Sequence, residues 1–289
     1  ATPWTAATTV FDSSYRKATE VARPGVYAVR VEERAALVEL TATERVALQR
    51  YTFDRGGRVQ VLVDLQHRLR FQPGPRVTAA DYTMRPDGLR ATVHSSNWVD
   101  RQASVALRFD HPIADSQVLP ARDGEKAPRL LLAFELGEGR TLEARVALST
   151  VDEDGAAANL ATADGLDFDA TVRNAQTAWN ALLSRVAIDA PVEQRRIFYS
   201  ALYRSLMHPS QIADVDGRVR GPKGEVIEAP GGVYYSTMSL WDTFRASHPL
   251  FTLVVPERVP GFVNTLLAHE QQMGYLPLWT AWGRETHTM

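Results

Sequence analysis

The spacing of apolar residues changes once along this chain, near residue 165, and that change limits the possible folds more than any other feature of the sequence. Before it, apolar and polar residues alternate in short runs, which is typical of strands with one face in a core. Turns rich in Gly, Pro and Asp separate the runs, so residues 1–165 are predicted to form a β-sandwich. The predicted strands cover residues 26–31, 37–43, 59–65, 104–109 and 141–148.

Beyond this point the apolar residues recur at the spacing of a helix. The first helix is predicted within residues 166–190, with Asp167 or Asp169 supplying its N-terminal cap or first-turn charge. A second amphipathic helix is predicted to follow Pro191 and to end before Pro209. These helices predict an α domain that is connected to the β domain by the first of them.

Two further helices are predicted, at residues 239–255 and 260–273, and Gly274 is expected to end the second of them. A loop rich in Gly, Pro and Asp is expected across residues 213–235. A set of three or four helices could form a bundle. The many aromatic residues beside Gly and Pro favour instead the rim of a larger site.

Composition excludes several classes of function. With 32 basic and 34 acidic residues the formal charge is −2, so the chain lacks the excess of basic residues that favours nucleic-acid binding. The absence of cysteine excludes disulfides, thiolate metal sites and a cysteine nucleophile. No run of about 18 apolar residues occurs, and therefore no membrane span is expected. The histidines show no metal-binding spacing, and nucleotide-binding and esterase motifs are missing.

A tryptophan and a carboxylate are adjacent in the run Ser239–Arg245, where helical spacing would bring Asp242 within pairing distance of Arg245. The loop at residues 278–286 adds two tryptophans, a glycine and Glu285. A pyranose stacks its apolar face on an aromatic ring and bonds its hydroxyls to carboxylates, so this composition favours a sugar site. The same pattern also fits a structural role, in which the tryptophans belong to a helical core.

The runs that contain Trp241-Asp242 and Gly283-Arg284-Glu285-Thr286 resemble glycoside hydrolase family 92, and the resemblance extends over nearly the whole chain. The resemblance is most specific in the run 235–245, which contains Trp241-Asp242-Thr243-Phe244-Arg245. It continues in His248-Pro249-Leu250, Pro256-Glu257-Arg258, Leu276-Pro277-Leu278-Trp279 and Gly283-Arg284-Glu285-Thr286, and upstream in the runs 22–27, 39–43 and 198–203.

The resemblance implies a calcium-dependent exo-α-mannosidase that removes terminal mannose from glycans, such as N-glycans, with inversion at the anomeric carbon. It implies an N-terminal β-sandwich at residues 1–165, a linker helix at 166–190 and the first part of an (α/α)6 barrel at 191–289. The chain is then expected to be an incomplete part of the enzyme, lacking the family's opening segment and most of the barrel. Mannose-containing glycans are the implied partners, and a periplasmic or secreted location is expected.

The resemblance also implies roles for individual residues. Asp242 would hold sugar hydroxyls in the −1 subsite, Trp241 would form a wall of that pocket, and Glu285 would be a second pocket carboxylate. Arg284 departs from the family, in which asparagine is commonest at this position. The general acid and the general base are expected downstream of Met289, and the calcium ligands are expected mostly outside this chain. No catalytic residue or metal ligand is therefore assigned within this chain, which is expected to be inactive alone.

Two other interpretations stay open from the sequence. One is a non-catalytic carbohydrate-binding protein made of a β-sandwich with a helical appendage. The other is a different (α/α)6 glycosidase or a phosphorylase, which commonly also follows a β-sandwich. Residues beyond Met289 would discriminate between them.

Two structural expectations accompany these interpretations. Glu39 is expected to be part of the scaffold of the β domain, within a strand. In an unfinished barrel, two apolar stripes are expected to face missing partners: Phe198, Leu202 and Leu206, and Phe262, Leu266 and His269.

Overall fold

A computed structural model describes residues 4–5, 11–67, 77–96, 100–121, 124–281 and 284–285 of the chain. The chain divides into two compact units. The first consists of Ala1–Leu148 and Asp152–Ala175, and the second of Ser149–Val151 and Gln176–Met289.

The first unit is built on two β-sheets whose described pairings are antiparallel. Its strands are β1 (Val21–Arg23), β2 (Val26–Val31), β3 (Ala36–Ala42), β4 (Val46–Phe53), β5 (Arg58–Asp64), β6 (Val77–Arg85), β7 (Gly88–Ser96), β8 (Asp100–Phe109), β9 (Asp115–Leu119), β10 (Arg129–Glu135) and β11 (Thr141–Ser149). The larger sheet has the order β1-β2-β3-β4-β11-β8-β7-β6, and the smaller has the order β5-β10-β9. Each predicted strand has an observed counterpart.

The main core of this unit lies between the two sheets, as expected of a sandwich. Phe134 of β10 and Phe109 of β8 pack with their ring centroids 4.6 Å apart. Leu132 of β10 and Leu142 of β11 are fully buried in the same cluster. The alternation of the predicted strands is therefore explained by burial of one face of each sheet, and the predicted β-sandwich is confirmed.

A helix that the sequence analysis missed covers the other face of the larger sheet. This helix, α1 (Glu153–Ala161), packs with Phe168 against Val46 and Leu48 of β4. Asp152 caps it by accepting a hydrogen bond from the amide of Gly155 over 2.7 Å. The expectation of β structure up to residue 165 is wrong here. The small residues that make up most of α1 gave no apolar periodicity from which a helix could be predicted.

Glu39 lies in β3 and binds its neighbour Arg50 on β4 through both carboxylate oxygens, over 2.8 and 3.1 Å. The Arg50 guanidinium also contacts Asp169 over 3.0 Å and covers the ring of Phe168 at 4.2 Å. These contacts hold the pKa of Asp169 below its usual value, chiefly through the hydrogen bond from Arg50. Glu39 is thus part of the scaffold that joins the sheet to the following helix.

The following helices are α2 (Phe168–Leu183), α3 (Val192–Ser205), α4 (Leu240–Thr243), α5 (Ser247–Val254) and α6 (Val259–Met273). Asp167 caps α2 by accepting a hydrogen bond from the amide of Ala170 over 2.7 Å, and Asp169 supplies the first-turn charge. Gly274 ends α6 with a left-handed backbone, as predicted. None of the described helices is long and apolar enough to cross a membrane.

The single helix predicted at residues 239–255 is wrong, because the chain forms the separate helices α4 and α5 there. Proline disfavours helical backbone in the residue before it and lacks an amide proton, so it is best placed in the first turn of a helix. Pro249 occupies the first turn of α5, and the new helix therefore begins at Ser247.

The apolar stripes that were expected to face missing partners are packed within the second unit. Leu202 and Leu206 share a core with Phe262 of α6, and Phe198 packs against it. His269 is also fully buried. That expectation is wrong because the helices of this unit bury these faces against one another. The apolar side chains exposed here lie elsewhere, as with Ile197, which is 70% exposed, and Leu253, which is 81% exposed.

Short strand pairs complete the second unit. They are β12 (Ser210–Gln211) with β15 (Tyr235–Ser236), β13 (Arg218–Arg220) with β14 (Val226–Glu228), and β16 (Thr280–Ala281) with β17 (Arg284–Glu285). The predicted loop at 213–235 thus contains a hairpin. Short 3-10 turns occur at Lys17–Thr19, Glu32–Arg34, Pro230–Gly232 and Pro256–Arg258.

Candidate functional site

Asp242 lies in the short helix α4, and its neighbour Ser239 determines its orientation. The Ser239 carbonyl accepts hydrogen bonds from the amides of Asp242 and Thr243, both over 3.0 Å, which closes the turn. The Ser239 hydroxyl donates to Oδ2 of Asp242 over 2.5 Å. Among the described residues nothing donates to Oδ1, and Asp242 is exposed. One oxygen is therefore held by the protein while the other is available to a ligand hydroxyl.

The predicted pairing of Asp242 with Arg245 is wrong for the described structure. The guanidinium carbon of Arg245 lies instead 5.3 Å from the ring centroid of Phe244. Helix α4 ends at Thr243, and one turn of helix is too short to bring the two side chains onto one face. The Asp242 carboxylate is consequently left without a cationic partner in the described residues.

Two aromatic residues close to Asp242 in the sequence have exposed side chains. Trp241 is 47% exposed and Phe244 is 57% exposed. Large aromatic side chains usually bury most of their area, so exposed rings one and two residues from an exposed carboxylate are unusual within a folded unit. Within the described residues Trp241 is therefore not part of a helical core.

The backbone at residues 278–280 is hydrogen-bonded to residues 238–240, where the turn that carries Trp241 and Asp242 begins. The amide of Leu240 donates to the carbonyl of Leu278 over 3.1 Å, and the amide of Thr280 donates to the carbonyl of Met238 over 2.9 Å. The amide of Met238 also donates to the hydroxyl of Thr280 over 3.2 Å. Residues that are about 40 positions apart in the sequence are thus brought side by side.

Glu285 lies in this same assembly, but its carboxylate is directed at the backbone. It is only 8% exposed. Its Oε2 accepts a hydrogen bond from the amide of Leu278 over 2.6 Å, and the amide of Trp279 lies 3.4 Å from both carboxylate oxygens. Glu285 is therefore connected to the turn that carries Asp242 through the backbone of Leu278, which bonds to both, while its carboxylate stays buried.

Sequence reasoning assigned no role to Ser239, Thr237 and His208. Thr237 has a positive φ of 60°, which is strained for a β-branched residue. The ring nitrogen Nδ1 of His208 lies 3.1 Å from the hydroxyl of Ser210 and 3.5 Å from that of Thr237. The spacing of Ser239 three residues before Asp242 is a signal that could have been used, whereas nothing local marks Thr237.

His248 is half-buried and packs against aromatic residues of the core. Its ring packs edge-on against Phe251 and Phe262, with centroid distances of 5.5 and 6.0 Å. Burial lowers the pKa of His248 below its usual value. The imidazole is consequently neutral at neutral pH.

The sequence resemblance implies a bound calcium ion. Calcium needs several converging oxygen ligands. In the parts of the chain that the structure describes, no three His, Asp or Glu side chains converge in a way that could hold a metal ion.

Comparison with known families assigns both halves of the chain. The profile described as "Glycosyl hydrolase family 92 N-terminal domain" matches residues 2–149, and the profile described as "Glycosyl hydrolase family 92 catalytic domain" matches residues 155–289. The chain therefore belongs to glycosyl hydrolase family 92, a family of glycosidases. This membership removes the support for a different (α/α)6 family.

Solved structures agree with this assignment. A family 92 α-mannosidase from Bacteroides thetaiotaomicron in complex with mannoimidazole is 25% identical, has a TM-score of 0.88, and aligns over 96% of this chain and 38% of its own. Another structure of that enzyme is 26% identical, with a TM-score of 0.88 and coverages of 96% and 39%.

A family 92 inverting mannosidase from the same organism is 24% identical, with a TM-score of 0.82 and coverages of 94% and 38%, and shares the fold. This chain thus spans well under half the length of these relatives, and its fold is a β-sandwich followed by the beginning of a helical barrel. No curated protein sequence matches the chain.

Proposed function

We propose that this chain is part of a glycosidase that removes terminal α-linked mannose from glycans. The observation that carries the proposal is the family match across both parts of the chain, residues 2–149 and 155–289. It is supported by 25–26% identity to an α-mannosidase that has been solved with mannoimidazole. Mannose-containing glycans are accordingly the proposed substrates.

The Trp241–Asp242 turn is the proposed contribution of this chain to the mannose site. The available Oδ1 of Asp242 would accept hydrogen bonds from sugar hydroxyls, since a carboxylate is a stronger acceptor than a neutral group. The exposed ring of Trp241 would cover the apolar face of the sugar. Both residues belong to one short turn, so the two contacts would be made with a fixed relative orientation.

The proposed reaction is hydrolysis with inversion, which needs a carboxylic acid for the leaving oxygen and a carboxylate base for water, about 6.5–9.5 Å apart. We assign neither role to the described carboxylates of the site. Glu285 is engaged with backbone amides, and Asp242 is held by Ser239 for binding. The acid and the base are proposed to come from elsewhere in the polypeptide, as is the calcium site.

A periplasmic or secreted location is proposed on the same grounds, since the glycans of this reaction are presented outside the cytoplasm. Fractionation of producing cells, with activity and antibody detection in each fraction, tests it. Exclusive recovery from the cytoplasm would contradict it.

The experiment for the function uses the longest natural polypeptide that carries these residues. It is assayed on aryl α-mannoside, β-mannoside and α-glucoside, with and without a chelator. We expect turnover of the α-mannoside alone and its loss on chelation, restored by calcium. NMR of the first-formed sugar is expected to display the β-anomer. Turnover of another glycoside in place of the α-mannoside, or release of the α-anomer, would contradict the proposal.

Residues 1–289 alone are expected to give no turnover of the α-mannoside in that assay. The physical reason is that inversion requires two positioned carboxylates, and neither Asp242 nor Glu285 is placed for either role. Circular dichroism of the same sample establishes whether the chain is folded when it is assayed. Calcium-dependent hydrolysis by this chain would contradict the assignment.

A further inference from the structure

The carboxylate of Glu285 accepts hydrogen bonds from the polypeptide backbone. The amide of Leu278 donates to Oε2 over 2.6 Å, and the amide of Trp279 lies 3.4 Å from each oxygen. With 8% of the residue exposed, the carboxylate is largely removed from water. Hydrogen bonds to an ionised acceptor are stronger than neutral ones, and the amides would be left without this acceptor if the carboxylate turned outward.

The backbone that Glu285 holds is in turn bonded to the start of the Trp241–Asp242 turn. The Leu278 carbonyl accepts from the amide of Leu240, the residue with which α4 begins, over 3.1 Å. Ser239, one residue earlier, forms a β-bridge with Trp279. Ser239 then orients Asp242 through its hydroxyl. Hydrogen bonds and the backbone segments between them thus connect the buried carboxylate to the exposed one.

We propose that Glu285 is a positioning residue, which acts through the Leu278–Trp279 backbone to fix the Trp241–Asp242 turn and does not touch the sugar itself. This inference rests on the proposed function and replaces the expected role of Glu285 as a second pocket carboxylate. The reason is geometric, because its oxygens are directed at the amides of its own hairpin and the residue is buried.

A double-mutant cycle tests this role in the longest natural polypeptide that carries the chain. Glu285→Ala is expected to lower kcat/KM on an aryl α-mannoside about 10- to 100-fold, as expected when binding groups are misplaced by about 1 Å. Glu285→Gln keeps one acceptor oxygen and is expected to recover part of the loss. In the Asp242→Ala background, Glu285→Ala is expected to cost clearly less than in the wild type, at most about the 3- to 10-fold that displacement of Trp241 would cause, because residues that act as one unit are not additive.

Glu228→Gln is the matched control, since Glu228 is exposed in β14 and makes no described side-chain contact. It is expected to keep wild-type kinetics. Full additivity of Glu285→Ala with Asp242→Ala would overturn the positioning role, because it would mean that Glu285 contributes independently of the turn. Equal losses in Glu285→Gln and Glu285→Ala would also overturn it.

Hydrogen exchange provides a measurement that does not depend on the substrate. Peptides that contain Leu278 and Trp279 are expected to exchange faster in Glu285→Ala than in the wild type, followed by peptides that contain Leu240. Peptides from α6 are expected to keep their protection. If Glu285→Ala does not fold, the same comparison is made with Glu285→Gln, in which one amide loses its acceptor.

The kinetic and the hydrogen-exchange measurements together distinguish failure of the positioning role from failure of the proposed function. Unchanged exchange at Leu278 and Trp279 overturns the positioning role whatever the substrate is. Faster exchange in the variant, with a wild-type enzyme that does not hydrolyse α-mannosides, leaves the positioning role standing and contradicts the proposed function.

Discussion

The hydroxyl of Ser239 donates to Oδ2 of Asp242 over 2.5 Å, and this contact leaves Oδ1 as the oxygen that faces no described donor. The carbonyl of Ser239 also accepts the amide hydrogen bonds that close the turn. A single residue therefore fixes both the backbone and the carboxylate of the candidate site. The orientation of Asp242 is therefore determined before any ligand arrives, which lowers the entropy that binding must lose.

Replacement of Asp242 is expected to reduce activity on an α-mannoside. Asp242→Ala removes charge-assisted hydrogen bonds that contribute roughly 1.5–3 kcal/mol each, and kcat/KM is expected to fall at least about tenfold. Ser239→Ala leaves the carboxylate in place but free to rotate, and a smaller loss is expected. Steady-state kinetics on the folded variants measures both effects.

The matched control is Asp189→Ala, because Asp189 is an exposed aspartate of the same unit with no described side-chain contact. It is expected to behave as wild type. If Asp242→Ala retains wild-type kinetics, Asp242 has a structural role only. A larger loss for Ser239→Ala than for Asp242→Ala would contradict the proposal that Ser239 acts by orienting Asp242.

Trp241 is expected to contribute to substrate binding through stacking. Trp241→Ala is expected to raise KM about 3- to 10-fold, consistent with aromatic contacts of roughly 0.5–1.5 kcal/mol. Trp241→Phe keeps an aromatic face and is expected to lose less. The control is Trp179→Phe, because Trp179 packs against Tyr203 with ring centroids 4.4 Å apart and is expected to change stability rather than KM. Equal KM values for wild type and Trp241→Ala would exclude stacking.

The backbone conformation of Thr237 is expected to lower the free energy of unfolding, because its φ of 60° is strained for a β-branched residue. Thr237→Gly allows this backbone conformation without steric cost, and the free energy of unfolding is expected to rise by about 1 kcal/mol. Thr237→Ala keeps a β-carbon and is expected to gain much less. Urea unfolding of the three proteins measures the difference. A decrease in stability for Thr237→Gly would mean that contacts of the Thr237 side chain outweigh the strain.

His248 is expected to make stability dependent on pH. Burial lowers its pKa in the folded state below the usual value of 6.5, so the unfolded chain binds the proton more readily. Stability from this residue is therefore present above the unfolded pKa and is lost as the pH falls from there through the folded pKa. His248→Gln, which does not titrate, is expected to lose stability less steeply below neutral pH.

The comparison is made by urea unfolding of both proteins between mildly alkaline and mildly acidic pH. The difference between their free energies of unfolding isolates His248 from other titrating groups. A difference that stays constant over this range would contradict the assignment, and one that increases in favour of wild type on acidification would reverse its sign.

Much of the fold follows from spacing along the chain. The alternation in strands such as Val26–Val31 and the helical stripe through Leu202 and Leu206 reflect burial of one face of each element. The caps at Asp167 and Gly274 follow from local backbone chemistry. The break between α4 and α5 was also encoded locally, by Pro249, although apolar spacing concealed it.

The sequence by itself determined the family and the β-sandwich, and it singled out the run that contains Trp241 and Asp242, because these depend on local periodicity and on a specific short motif. Only the tertiary structure decided what each carboxylate does. Asp242 and Glu285 are both acidic residues within family motifs. Asp242 is exposed, whereas Glu285 accepts a hydrogen bond from the backbone amide of Leu278. The difference depends on which backbone groups the folded chain brings within hydrogen-bonding distance, and spacing in the sequence carries no information about that.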